Sequence, residues 1–249
     1  MKKLENIALG TLAMALHHQF THTTRPASWQ AVRLSDIAFA ADDVAALITS
    51  LNLQDNEPSF TVDAAEIWAH GAIVYRRAHS KIKTERIVPL SAAFATELKR
   101  YLELRNQYLA ELGAESPWLY PCPRNPANHI SDTDMRLLFQ KGEEVARQRV
   151  AEVGKNPDTV LPPALGTKWY GFRRLWKTEI NKLGWERTSA SMYAGDWKPM
   201  VRTIADDVYA RITPGMLLAV IERIPFHEAV VREKNRPGHG DVRDLVYCS

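Results

Sequence analysis

The stretch AIVYRRAHSKIKTERIVPL, residues 72–90, decides the fold. Ala72-Ile73-Val74-Tyr75-Arg76 and Arg86-Ile87-Val88-Pro89-Leu90 are rich in β-branched and aromatic residues. They flank the polar, basic HSKIKTE. Such runs on either side of a polar tip predict an antiparallel hairpin. Phe60-Thr61-Val62 is a candidate third strand.

Outward from the hairpin the period changes from two to that of helices. Ser91 opens a predicted helix to about Leu112, with Phe94, Leu98, Tyr101, Leu102 and Leu109 as its apolar stripe. Residues 117–126 carry four prolines and read as a loop. Ser131-Asp132 caps a helix to about Val153, anchored by Met135, Leu138, Phe139 and Val145, and residues 155–166 read as a second loop. On the other side, residues 42–53 predict a helix facing inward with Val44, Leu47, Ile48 and Leu51. Thr23-Thr24 can cap a helix that starts near Arg25-Pro26 and turns Trp29 and Val32 inward, with Asp36-Ile37 closing the unit. Met1 to Ala15 imitates a signal peptide, but Glu5-Asn6 and Gly10-Thr11 interrupt the apolar run. Leu9, Leu12, Leu16 and Phe20 recur at helical spacing, so an amphipathic first helix is the better reading. The expected class is α+β, mostly helical, with a small antiparallel sheet.

The chain has 249 residues, 45% hydrophobic and 24% charged, which is enough to bury a core. A net charge of +3 permits a nucleic-acid partner without demanding one. Cys122 and Cys248 are too few for a disulfide framework or a zinc site, so a cytoplasmic setting is expected. No run approaches the roughly 18 apolar residues of a membrane span, and no membrane partner is expected.

Three pieces carry cations and aromatics in an order that chemistry can use. They are TTRPASWQAVRLSDI from Thr23, the hairpin tip with Lys81 and Lys83, and YGFRRLWKTEINKLGWERTSASMYAGDWKPMVRTIADDVY from Tyr170 to Tyr209. Taken singly, Arg25 reads as a helix-end arginine, Lys81 as a solvated tip and Arg173 as a helix-face ion-pair partner. Together they resemble the catalytic domain of the tyrosine recombinase, or phage integrase, family. That family opens with Thr-Gly-x-Arg followed by an apolar helix and an Asp-Ile corner. Here Thr23-Thr24-Arg25-Pro26 precedes Asp36-Ile37, with Arg25 eleven residues before Asp36. The family's hairpin places a lysine about five residues before Arg-x-Val-Pro-Leu, the position of Lys81, with Lys83 as a close rival. Its His-x-x-Arg box corresponds to Tyr170-Gly171-Phe172-Arg173, and its Gly-His or Gly-Trp corner to Gly195-Asp196-Trp197. Tyr209 closes the set, and Tyr193 lies on the wrong side of the corner. The resemblance runs from about residue 5 to about residue 225.

The resemblance implies a catalytic domain over residues 1–232, and the charged tail over 233–249, with its two glycines, reads as mobile. About twenty residues precede Arg25, so the family's N-terminal core-binding domain is expected to be absent, the chain being a fragment or a catalytic domain standing alone. The partner implied is double-stranded DNA, with a homo-oligomer, a tetramer, assembling on it. No cofactor or metal is implied. Arg25 and Arg173 would clamp the scissile phosphate with bidentate hydrogen bonds. Tyr209 would attack phosphorus and form a 3′-phosphotyrosyl link. Lys81 would protonate the departing 5′ oxygen, while Tyr170 and Trp197 would donate supporting hydrogen bonds. Departures from the pattern are Tyr170 for His, Asp196 at the corner, Ser28 for a glutamate three residues after the first arginine, and a tyrosine about four residues late. They leave room for a catalytically silent DNA-binding relative; a type IB topoisomerase shares the same residue set, and a helical interaction protein with no DNA role is a third class.

Overall fold

A computed structural model describes residues 2–22, 24–51, 68–80, 83 and 85–160. These form an α+β body, mostly helical, with one small antiparallel sheet. The helices are α1 (Lys2–His22), α2 (Pro26–Gln30), α3 (Ala41–Thr49), α4 (Ala92–Glu111), α5 (Asp132–Glu152) and α6 (Pro157–Val160). The strands are β1 (Ile37–Ala38), β2 (Ala72–Tyr75) and β3 (Arg86–Pro89), in the order β1-β2-β3.

The hairpin is present as the sequence predicts. Ala72 pairs with Pro89, Ile73 with Val88, Val74 with Ile87 and Tyr75 with Arg86. Pro89 is tolerated because, among the described residues, β3 has β2 as its sole neighbour in this sheet, and an edge position needs no ladder donor on its outer side. The Arg86 guanidinium lies 4.7 Å from the centroid of its cross-strand partner Tyr75. The third strand is Ile37–Ala38, on the far side of β2. Two residues are too short for a periodic signal, so the sequence reads this stretch as a corner. The Phe60-Thr61-Val62 candidate lies outside the described residues. Gly71 makes the close approach of β1 possible. Its φ is +96°, and a Cβ there would sit 1.9 Å from the Ala38 carbonyl oxygen.

Every residue of β2 is buried, and its two faces serve two cores. Ile73 and Tyr75 join Val88, Leu90, Trp29, Phe94, Leu98, Tyr120 and Phe139. Ala72 and Val74 join Ile87, Trp68, the apolar face of α3 with Val44 and Leu47, and Leu51 just beyond that helix. A strand covered on both sides reads as a continuous apolar run rather than an alternating one, which is the pattern of AIVY.

Helix α1 packs against α4 and α5 and is more deeply buried than an amphipathic surface helix. Ile7, Ala8, Leu9, Thr11, Leu12, Met14, Ala15, His17, His18 and His22 are all buried, and these positions go all the way round the helix. The expectation of one apolar stripe is thereby corrected, since α1 is a central element. Gly142 of α5 lets the two helices approach, because a Cβ there would lie 3.1 Å from the Ala8 carbonyl oxygen and 3.0 Å from Leu12 Cδ2.

Helices α4 and α5 begin where the sequence places them. Ser91 Oγ accepts from Phe94 N at 3.2 Å, and Ser131 Oγ accepts from Asp134 N at 3.1 Å. For α2 the N-cap is Arg25 itself, with no side-chain cap, rather than a threonine. The short α6 occupies part of the expected loop 155–166, with Pro157 at its start. The proline-rich stretch is irregular but anchored. Leu34 N donates to Pro117 O at 2.8 Å and Leu119 N to Val32 O at 2.9 Å.

Candidate functional site

Of the residues singled out by sequence, Arg25 lies within the described part of the chain. Lys81, Tyr170, Arg173, Trp197 and Tyr209 lie outside it, as do the corner at Gly195-Asp196 and the rival Tyr193.

Arg25 stands at the mouth of α2. Its backbone is extended (φ −70°, ψ 149°), and its carbonyl accepts from Ser28 N at 2.9 Å and Trp29 N at 3.3 Å. Pro26 follows as the first helical residue, with φ already set for the turn. The Arg25 side chain is half-buried. Thr24 is 1% exposed, and its hydroxyl has no hydrogen-bond partner among the described residues.

One turn further on, Ser28 Oγ donates to the carbonyl of His79 at 2.8 Å. His79 ends a single 3-10 turn, Arg77–His79, at the tip of the hairpin. This bond ties the helix behind Arg25 to the loop that carries Lys81. A second tie runs through Asp36. The Arg76 Nε donates to Asp36 Oδ1 at 2.6 Å, and Arg33 N donates to Asp36 Oδ2 at 3.0 Å. The Asp36 side chain is 2% exposed, so its charge is offset by a partner at the base of the same loop. Arg25 and the hairpin are therefore joined at Ser28 and at Asp36. Lys83 is exposed with φ +56°, and its Nζ donates to Ala78 O at 3.4 Å, back onto the tip.

Beneath this surface lies a polar network that the sequence does not announce. His18 and His22, one turn apart on α1, both reach the hydroxyl of Tyr75 on β2. His18 Nδ1 also contacts Tyr120 Oη at 3.2 Å. His22 Nε2 has no hydrogen-bond partner among the described residues. The assignment that leaves no orphaned donor puts the His22 proton on Nδ1. That N–H donates to Tyr75 Oη at 2.5 Å. The Tyr75 hydroxyl then donates to His18 Nε2, and His18 Nδ1–H donates to Tyr120. Both rings are thus neutral. Burial, and then the Arg86 charge, pushes His18 down to about 3. Burial, then His18, Arg86 and His17, holds His22 well below the ordinary histidine value. The i,i+4 spacing of His18 and His22 places both on one face of α1, but nothing in the sequence shows that this face is buried.

Two further features were not evident from sequence. Arg105 of α4 is 2% exposed, and its guanidinium donates to Ser116 O and Trp118 O, both at 2.7 Å, which pins the loop before Leu119. Asp134, 6% exposed, is held below the ordinary carboxylate range by the Ser131 hydroxyl. Its burial opposes this, and Arg124 and Cys122 add to it.

Among the described residues no group of three or more His, Cys, Asp or Glu is arranged to hold a metal ion, and no helix is long and apolar enough to cross a membrane. No protein-family model matches the sequence, and no curated protein or solved structure is significantly similar to it.

Proposed function

We propose that the chain is a DNA strand-breaking and rejoining domain of the tyrosine recombinase type, acting on double-stranded DNA through a 3′-phosphotyrosyl intermediate. In this reading Arg25 and Arg173 hold the nonbridging oxygens of the scissile phosphate. Tyr209 is the nucleophile and Lys81 the general acid, with Tyr170 and Trp197 donating hydrogen bonds. Residues 1–232 are the catalytic domain and 233–249 its tail. The protein works in the cytoplasm as a tetramer assembled on DNA.

The observation that carries the reading is the Ser28–His79 hydrogen bond of 2.8 Å. An arginine and a general-acid lysine can serve one phosphate only if their backbones are held as a unit. Arg25 lies one turn from Ser28, and Lys81 follows His79 by two residues. Ser28, which stands where the family pattern has a glutamate, here supplies the tie.

The test is a suicide DNA substrate resolved on a denaturing gel. The wild type is expected to give a covalent protein–DNA adduct that Tyr209→Phe abolishes. Absence of that adduct overturns the reading. Asp196 favours the second reading, a silent DNA-binding relative, because a carboxylate turned toward the phosphate would repel it. That relative would bind duplex without forming an adduct. Relaxation of supercoiled plasmid without a specific site would instead identify a type IB topoisomerase-like activity.

A further inference from the structure

Four side chains that no step of the proposed reaction uses form a continuous surface strip beside the Arg25 helix. The Arg33 guanidinium lies 4.7 Å from the centroid of the Trp118 ring. His129 meets Trp118 edge-on at 5.1 Å, and His79 meets His129 at 6.3 Å. The strip is fixed by backbone. Arg33 bridges Trp118, Pro121 bridges His129, and the His79 carbonyl receives the Ser28 hydroxyl at 2.8 Å. Two of its side chains are held in place as well. Trp118 Nε1 donates to Ala127 O and His129 Nδ1 to Ile130 O, both at 2.9 Å. The His129 ring therefore carries its proton on Nδ1.

The charges around His79 are mixed. Facing it are His129, Arg33, Lys83 and Asp36. Asp36 is bound to Arg76, and Glu85 nearby accepts from Arg77 N at 3.1 Å. Burial first, then His129, Arg33 and Lys83, holds His79 below the ordinary histidine value, while Asp36 acts the other way. An anion laid on the strip would offset the Arg33 and Lys83 charges and favour the imidazolium.

We infer that this strip is a rail for the phosphate backbone of duplex DNA, and that His79 takes up a proton when the DNA binds. The inference rests on the recombinase reading for its choice of polyanion. Duplex is favoured over a single strand by what the strip offers. Arg33 already covers the Trp118 ring and the indole N–H is already used. The strip therefore presents one guanidinium and two imidazoles rather than a bare aromatic face on which an unpaired base could stack. Linkage then requires affinity to rise as pH falls, by up to about tenfold per pH unit for one proton taken up.

The experiment is fluorescence anisotropy of a short labelled duplex with the full chain, at fixed salt, from about pH 8 to about pH 6. The wild type is expected to bind roughly three- to tenfold more tightly at the lower pH. His79→Gln should remove most of that rise, and Arg33→Gln should weaken binding a few-fold at both ends. A flat wild-type profile overturns the inference. So does a His79→Gln profile that keeps the rise, or a single strand of the same sequence that binds as tightly as duplex. Histidine NMR on the wild type gives a second readout independent of any variant's folding. The His79 titration midpoint must move up when duplex is saturating, and an unchanged midpoint overturns the inference. The adduct assay separates the two levels. PH-linked binding without adduct leaves the rail standing and the recombinase reading fallen, whereas adduct with flat binding does the opposite.

Discussion

At the scale of single residues, the chain places polar groups where burial makes them decisive. His18 and His22 are both 0% exposed and neutral, linked through the Tyr75 hydroxyl. The sign of their effect on stability follows from which state binds more protons. An unfolded histidine titrates near pH 6.5, whereas folded His18 is pushed down to about 3. The unfolded chain therefore takes up the extra proton as pH falls. Stability from this source is complete above about pH 6.5 and is lost progressively toward pH 3, on the order of 5 kcal/mol for His18 alone. Urea midpoints measured from neutral to acid pH should fall steadily across this range, and His18→Gln should shallow that slope. Asp134 also stabilises less on acidification, but its window lies lower. Its carboxyl is held below the usual range, so its contribution is intact above about pH 4. A profile that stays flat down to pH 4 and then breaks would exclude a role for the histidines. Tyr75→Phe should cost about 1–3 kcal/mol at neutral pH, because it takes a hydrogen-bond partner from both buried rings. Differential denaturation of the two proteins checks this.

At the scale of elements, the hairpin and its ties decide whether the proposed site has a geometry. Gly71 is the most constrained point, since a methyl there would meet the backbone of Ala38 at 1.9 Å from its oxygen. Gly71→Ala should destabilise the fold by at least about 2 kcal/mol, since backbone must move to make room. Thermal unfolding measures it. Ser28→Ala is the milder probe. It removes one bond between α2 and the tip, worth about 1 kcal/mol. Melting should therefore barely shift, while under the proposed reading adduct formation on the suicide substrate should slow several-fold, because the hairpin tip at His79 would lose a tie to the Arg25 helix. An unchanged adduct rate would show that the tie does not set the site. Much of this was legible in the sequence. The strand runs at 72–76 and 86–90, the caps Ser91 and Ser131 and the helices they start are signalled by short-range chemistry. What was not legible depends on neighbours distant in sequence. Two-residue β1 has no period to detect. The burial of Arg105 comes from carbonyls of Ser116 and Trp118, which only the folded loop presents. The tie from Ser28 to the His79 backbone has no side-chain signature at its acceptor end. For the candidate site, sequence supplied the order of Arg25, Lys81, Tyr170, Arg173, Trp197 and Tyr209, and the structure adds the surroundings of Arg25.

At the scale of the whole described body, β2 couples what would otherwise be two cores. Ile73 and Tyr75 face the larger one, in which α1 lies against α4 and α5. Ala72 and Val74 face the smaller one, with Trp68 and α3. Val44 and Leu47 of α3 and Ala38 of β1 lie in the smaller core, while Ile37 of β1 packs against the larger one. The smaller core therefore depends on the strand that the larger core holds in place, and loss of β2 removes one wall of both. Shared walls make unfolding cooperative, so the two cores should melt together rather than in sequence. Ile73→Ala and Val74→Ala test this from opposite faces of one strand. Each truncates a fully buried side chain, and each should cost about 2–4 kcal/mol. Both should displace one common transition in urea, with far-UV circular dichroism and near-UV aromatic signals coinciding in each variant. Two domains joined by a passive strand would behave differently. Val74→Ala would then split off an early step reported by the Trp68 environment alone, while Ile73→Ala would leave that step in place. Coincident curves matter for the proposed site as well, because Arg25 follows α1 on the large-core side and the hairpin tip extends from β2 itself. A body that opens as one unit keeps Arg25 and the hairpin in register until it unfolds.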